Sequence, residues 1–490
     1  MRLSAKLFLW GAVFAVLGVL ALWIEHARAA ARTRAFKAQL EAKGERLSYT
    51  NHVPPMPPMA SNGATAFAGA ANALTTLNPS FVPQPMRLVA PGRARVAWRL
   101  PALPEPKEAD VWPAVAAHIE ENRDVLAELH AAVELPVMVH KLAYEKTFSM
   151  LLPHLQKLKG AVGSLSWAAL YDMREGNREA AFTNLLAGIR AGSRLKEPVV
   201  ISQLIRVSCG SIMFGTTWEA MQFPGWTDRE LAALQQAWEE FDTLEGYMSA
   251  LNMERAMGVA ITAECRTNWR ALSGTRLGGS SGPGNVGDYV SEVWSVVTWH
   301  AWTSYADERW LLERHQISLD GARLALATNC FAPVKSQVAA ATTALGEPDF
   351  NYLVSKATVP AMDRFFLRIA RHETTRRLAA AAIALERHKL RHGRYPEALA
   401  ALVPEFMATL PHDFMDGNPL RYRLLPEGTF LLWSIGDDLV DDGGDGSTPP
   451  AATPGERLWI NGRDLVWPLP GTAREVEDDR AAMESRRPGR

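Results

Sequence analysis

The alternation of apolar and polar positions changes character several times along this chain. Leu7 to Ile24 (LFLWGAVFAVLGVLALWI) is an apolar run of 18 residues with no charge, preceded by Arg2 and Lys6. A membrane span needs about 20 apolar residues and a signal-peptide core about 7–15, so the run predicts an uncleaved anchor. Ala27-Arg28-Ala29 has the form of a cleavage site and carries the competing signal-peptide reading. Helix-forming residues continue to about Leu47 as a stalk. The prolines of "VPPMPPM" (Val53–Met59) then stop any helix, because proline lacks the amide donor and clashes with the preceding turn. Residues 50–108 read as extended linker with at most one short helix around Ala64–Leu74.

From Val111 to about Leu272 apolar residues recur three and four apart, which predicts helices throughout. Thr227-Asp-Arg-Glu230 is a capping box, followed by Leu231, Leu234, Trp238 and Phe241 on one face. Trp167–Ile189 has the pattern of two antiparallel helices joined at Glu175-Gly176-Asn177, with small Ala180 and Ala181 where the helices approach. One such repeat-like pair is present, with no second copy at the period of an array. The glycine-rich Ser273–Gly287 predicts a loop; it lacks the lysine-serine ending of a phosphate loop. Helices resume near Asp288 and run to His392. Trp294, Thr298, Trp302 and Tyr305 form a stripe there that predicts a core face, with Trp299 and Trp310 nearby.

After His392 the period shifts from helix to strand. "PLRYRLL" and "TFLLWSI" flank Pro426–Gly428 as one hairpin, and Asn461-Gly462 suits the tight turn of another. The charged tail from Gly471 predicts disorder. The expected fold is mainly α, with an N-terminal transmembrane helix, an α-helical body with a repeat-like helix pair, and a small C-terminal α+β domain with antiparallel β-hairpins. The expected divisions are 1–48 anchor and stalk, 49–108 proline-rich linker, 109–360 helical body, 361–470 α+β domain and 471–490 tail.

Composition narrows the function classes. With 490 residues, 48% apolar and 21% charged, the chain has the make-up of a folded protein. Its net charge of −1 gives no electrostatic case for nucleic acid. The three cysteines, Cys209, Cys265 and Cys330, are far apart and predict buried thiols rather than a zinc motif or disulfide framework. His372-Glu373-Thr-Thr-Arg376 lacks the second histidine of a zincin helix, and His388 and His392 sit among basic residues that suit a helix C-terminus. No nucleophile motif stands out. The aspartate run Ser434–Gly446 (SIGDDLVDDGGDG) is the remaining candidate for chemistry; calcium takes oxygen ligands in such bent loops, but the EF-hand spacing fails, with Val440 third and Pro449 twelfth from Asp438.

Residues from about Ala361 to Trp467 resemble the periplasmic domain of the type II secretion major pseudopilin. Gly393-Arg-Tyr395-Pro396, the stretch from Asp413 through Asp416-Gly417-Asn418-Pro419 to Tyr422, Ser434-Ile-Gly436-Asp437-Asp438 and Arg463-Asp464-Leu465 match its motifs in order. Leu439 departs from the family's glycine, and the N-terminus lacks the pseudopilin processing pattern. The resemblance implies a structural calcium ion, with Asp438 as the matching acid, Asp441 and Asp442 as loop partners and Asp464 beside the site. It also implies export, which places the expected single-pass inner (cytoplasmic) membrane protein's body on the periplasmic side, against the count of Arg28, Arg32, Arg34 and Lys37 after the span. The layout as a whole resembles a group of uncharacterised membrane-anchored planctomycete and verrucomicrobial proteins. The expected function is a non-enzymatic, membrane-anchored envelope scaffold or binding protein with an envelope protein as partner and a link to secretion. The alternative is a hydrolase-type enzyme whose site forms between helices from scattered residues such as Glu254, His300 and Asp307.

Overall fold

The computed structural model describes residues 2–75, 108–268, 293–359, 362–446, 463–471 and 474. In it the first apolar run opens a helix, α1 (Arg2–Ala42), that continues through Glu25, Arg28, Arg32, Arg34 and Lys37 without a break. Among the described residues no helix is long and apolar enough to cross a membrane. This corrects the expectation of a single-pass inner-membrane protein with its body on the periplasmic side. The apolar run passes directly into a charged half, Glu25 to Lys37, within the same continuous helix. The charged half of α1 lies along the body instead. Thr33 Oγ1 donates to the Tyr305 carbonyl at 2.8 Å, and Leu40 is buried beside Leu47 and Leu312.

Within the proline-rich stretch Ala64–Ala73 forms a short helix, α2, and Phe67, Ala70 and Ala71 bury its inner face. Helices α3 (Glu108–Glu121) and α4 (Arg123–Glu134) lead to the predicted hairpin, α5 (Pro153–Arg174) and α6 (Arg178–Ser193). Gly176 holds a φ of 81° in its turn, a conformation that glycine adopts without steric cost. Ala181 is buried as the pattern predicts, whereas Ala180 faces outward. Then come α7 (Val200–Ala220), α8 (Asp228–Glu239) and α9 (Leu244–Thr267). The capping box closes at the start of α8: Glu230 N donates to Thr227 Oγ1 (3.3 Å) and Thr227 N to Glu230 Oε2 (2.8 Å). Leu231, Leu234, Trp238 and Phe241 are all buried behind it.

The tryptophan stripe is a second correction. Trp294 is 68% and Trp302 43% exposed, while the ring in the core is Trp299. A π-turn spans Trp299–Thr303, and its extra residue per turn takes Trp302 out of the 3.6-residue phase set by Trp294 and Thr298. Helices α10 (Ser304–Thr328), α11 (Ala332–Leu345), α12 (Leu353–Thr358) and α13 (Met362–His392) follow.

The strands form one antiparallel sheet in the order β1 (Arg421–Leu424), β2 (Phe430–Ser434), β3 (Leu465–Trp467). Tyr422 pairs with Leu432 and Trp433 with Val466. The Pro426–Gly428 turn joins β1 to β2; Asn461-Gly462 lies outside the described residues, as does Ser273–Gly287. Helix α13 packs on α7 and α8, and one apolar core runs from Ala64 in α2 to Trp467 in β3. Trp218 of α7 donates to the Pro468 carbonyl at 2.7 Å, tying body and sheet together. All three cysteines are free and buried.

Candidate metal centre

Glu197 precedes Pro198, which biases it towards extended backbone and keeps it just outside α7. A parallel bridge between Met138 and Leu195 aligns two extended segments, with Met138 N donating to the Arg194 carbonyl at 3.1 Å. Two residues further along each segment stand His140 and Glu197. His154 comes from a third element, the first turn of α5, where Pro153 starts the helix.

These three side chains converge. His140 Nδ1 lies 2.8 Å and His154 Nε2 2.9 Å from the same Glu197 oxygen, Oε1. The two imidazole rings lie 4.1 Å apart, tilted by 32°. One ligand atom from each residue falls within 4.8 Å of the others, and no other such group of three histidine, cysteine or acidic side chains occurs among the described residues. Ser202 Oγ, in the first turn of α7, donates to Glu197 Oε2 at 2.5 Å, and Gln203 holds the Glu197 carbonyl at 2.7 Å. Burial alone would raise the Glu197 carboxyl, but the histidine and Ser202 hydrogen bonds outweigh it and bring it down to about 2. Glu197 is therefore an anion, fully buried at the N-terminal end of a 21-residue helix whose dipole favours negative charge.

Two further observations fit a group not supplied by the chain. The Tyr144 hydroxyl is buried in the same region, feels the charge of Glu197, and has no hydrogen-bond partner. A buried unmet hydroxyl costs about 1–3 kcal/mol. Thr147, also buried, holds a φ of 46° and ψ of −123°, a strained conformation for a β-branched residue of the kind that clusters at ligand sites. Two imidazoles and a carboxylate are a donor set for zinc-type ions, which hold such ligands at about 2.0–2.2 Å and keep a fourth position open in catalytic sites. Tyr144 belongs to a buried apolar cluster with Val199, Met253 and Met257, while both histidines reach partly to the surface.

Glu254 stands nearby on α9, its carboxylate accepting from Val200 N at the start of α7. Burial pushes it up to about 7. The other scattered residues do not join it. Asp307 is buried and accepts from Trp299 Nε1 (2.7 Å), Val354 N (2.9 Å) and Ser355 N (3.0 Å), so it caps α12. His300 is exposed, with Nε2 2.7 Å from the Arg266 carbonyl oxygen. Glu373 pairs with Arg376 and Arg377 rather than serving a zincin-like site.

The aspartate loop is built on hydrogen bonds to its own backbone. Asp464 is buried and accepts from the amides of Asp442 (3.3 Å), Gly444 (2.7 Å) and Asp445 (3.2 Å). Asp441 accepts from Trp433 Nε1 at 2.9 Å, Asp442 faces Arg463 at 3.8 Å, and Asp438 accepts from Val440 N at 3.0 Å. Burial pushes Asp464 up to about 6, and the charges of Asp441 and Asp442 add to the rise. Asp441 and Asp442 are thus close enough to repel Asp464, while Arg421 and Arg463 supply countercharge. Leu439 adopts a φ of 69° where a glycine would be unstrained.

Sequence reasoning passed over His140, His154 and Glu197 because they are 14 and 43 residues apart and share no motif. The one local signal was Glu197-Pro198 directly before an apolar helix. No family model, curated protein or solved structure matches the chain.

Proposed function

We propose that this chain binds a zinc-type divalent ion through His140, His154 and Glu197, and that the open position supports hydrolase-type chemistry. The carrying observation is the convergence of two imidazole nitrogens, from two separate elements, on the buried Glu197 carboxylate of a third. Imidazole nitrogens favour zinc or iron(II) over the hard, oxygen-seeking calcium. An ion there would replace the two N–H donors now facing Glu197 Oε1, and the Tyr144 hydroxyl stands ready for a water or substrate oxygen. Glu254, on α9 and pushed up to about 7 beside the same start of α7, is the group able to take up a proton.

Equilibrium dialysis of chelator-stripped full-length protein against zinc tests this reading. About one equivalent should bind, and Glu197→Gln or His154→Ala should lower the affinity by at least tenfold. Binding unchanged in both variants would sink the proposal. Zinc uptake without turnover of activated ester or phosphate substrates would remove only the hydrolase part. It would favour the scaffold or binding role, for which the exposed Trp294, Val297 and Trp302 offer a surface. A structural calcium ion in the aspartate loop, with Asp438 as the matching acid, Asp441 and Asp442 as loop partners and Asp464 beside the site, is a separate proposal. Dialysis against calcium decides it: uptake lost in Asp464→Asn but kept in Glu197→Gln supports it, and no uptake refutes it.

A further inference from the structure

A cavity of about 390 Å³ lies between α9, α10, α11 and α13, away from the histidine centre. Its floor is aromatic. The rings of Tyr247 and Phe366 stack at 5.2 Å, Phe331 lies 5.3 Å from Phe366, and all three are buried. Its roof is one face of α11, where Lys335, Val338, Ala339 and Thr342 stand at positions i, i+3, i+4 and i+7. The Lys335 ammonium gives one of its three donors to the Asp437 carbonyl, at 2.6 Å, and no carboxylate pairs with it among the described residues. Two turns along the same face the buried Thr342 hydroxyl has no partner.

We infer that this cavity binds a small amphipathic monocarboxylate, with its apolar body on the aromatic floor and its carboxylate on Lys335. The volume lies within the usual range for small-molecule sites, which combine an apolar lining with a few placed polar groups. A hydrocarbon would leave the ammonium unused, and a polyol would gain nothing from the three rings. Two helical turns separate Lys335 from Thr342, about 10 Å of apolar wall, which matches a medium-length chain.

The probe is decanoate, titrated calorimetrically into the full chain below its micelle-forming concentration, with decanol as the uncharged control. Decanoate should bind, decanol at least tenfold more weakly. Lys335→Gln should erase that difference, and Val338→Trp, which fills the cavity from α11, should abolish binding. If Val338→Trp melts early, Ala339→Phe at an exposed position serves as the second block. Absence of decanoate binding, equal binding of decanol, or binding unaffected by either block overturns the inference. Because none of these residues touches the histidine centre, failure here leaves the zinc proposal standing, and the reverse also holds.

Discussion

A carboxylate removed from water stays charged only if the donors around it outweigh what burial takes away. Glu197 meets that condition with two imidazoles and a serine hydroxyl; Glu254, burial-dominated at the same helix start, does not. The contrast leaves Glu197 charged and moves Glu254 towards its neutral form. A different buried group shows how tightly single residues are fitted. Neither ring nitrogen of His372 has a hydrogen-bond partner, and burial pushes it down to about 3, so the ring is neutral. It lies against Phe241 at 4.8 Å and against Gly210 of α7, where an added Cβ would fall 1.9 Å from Nε2. Gly210→Ala should therefore destabilise the protein by about 1–3 kcal/mol, the usual cost of overpacking. Chemical denaturation should show that loss shrinking in a His372→Ala background; an equal loss in both would mean that the ring is not the obstacle. The sequence singled out His372 only as a failed zincin position, because nothing local reveals what packs against it.

At the level of elements, capping and turn chemistry were legible. Thr227 and Glu230 start α8 and Gly176 turns α5 into α6 through side-chain and backbone preferences that act within a few residues. The tryptophan stripe was misread because the π-turn takes Trp302 out of phase and nothing local shows that Trp294 faces outward. The N-terminal run was misread as a span because its apolarity does not show that the continuing helix binds the body. That attachment centres on Glu45, which accepts from Arg323 Nη1 (2.6 Å), Arg255 Nη2 (2.8 Å) and Gln316 Nε2 (3.1 Å). Burial would raise its carboxyl, but these bonds bring it from 4.5 down to about 2. A carboxyl depressed on folding contributes stability that is full above its unfolded pKa and is lost as pH falls towards the folded one. Glu45→Gln should therefore lower the melting temperature at pH 7, and the gap from the unmodified protein should close progressively below pH 4.5. A gap that stays constant with pH would show that the charge of Glu45 is not what holds α1.

Across the whole molecule, the mainly helical class and the antiparallel strands could be read from periodicity. The site could not, because it depends on how a bridge at Met138, the start of α5 and the approach to α7 meet in space. The same long-range folding joins α13 and the sheet to the body in one core, so Trp467 and Trp218 belong to a single packing problem. The central claim is that this packing has assembled a nitrogen-and-oxygen metal site from otherwise ordinary residues. Its most direct test is the X-ray absorption spectrum of the zinc-loaded full-length protein. The account predicts a first shell of nitrogen and oxygen only, at about 2.0–2.2 Å, with the outer-shell scattering of two imidazoles, reduced to one in His154→Ala. A first shell containing sulfur at about 2.3 Å, or one without imidazole scattering, would contradict it.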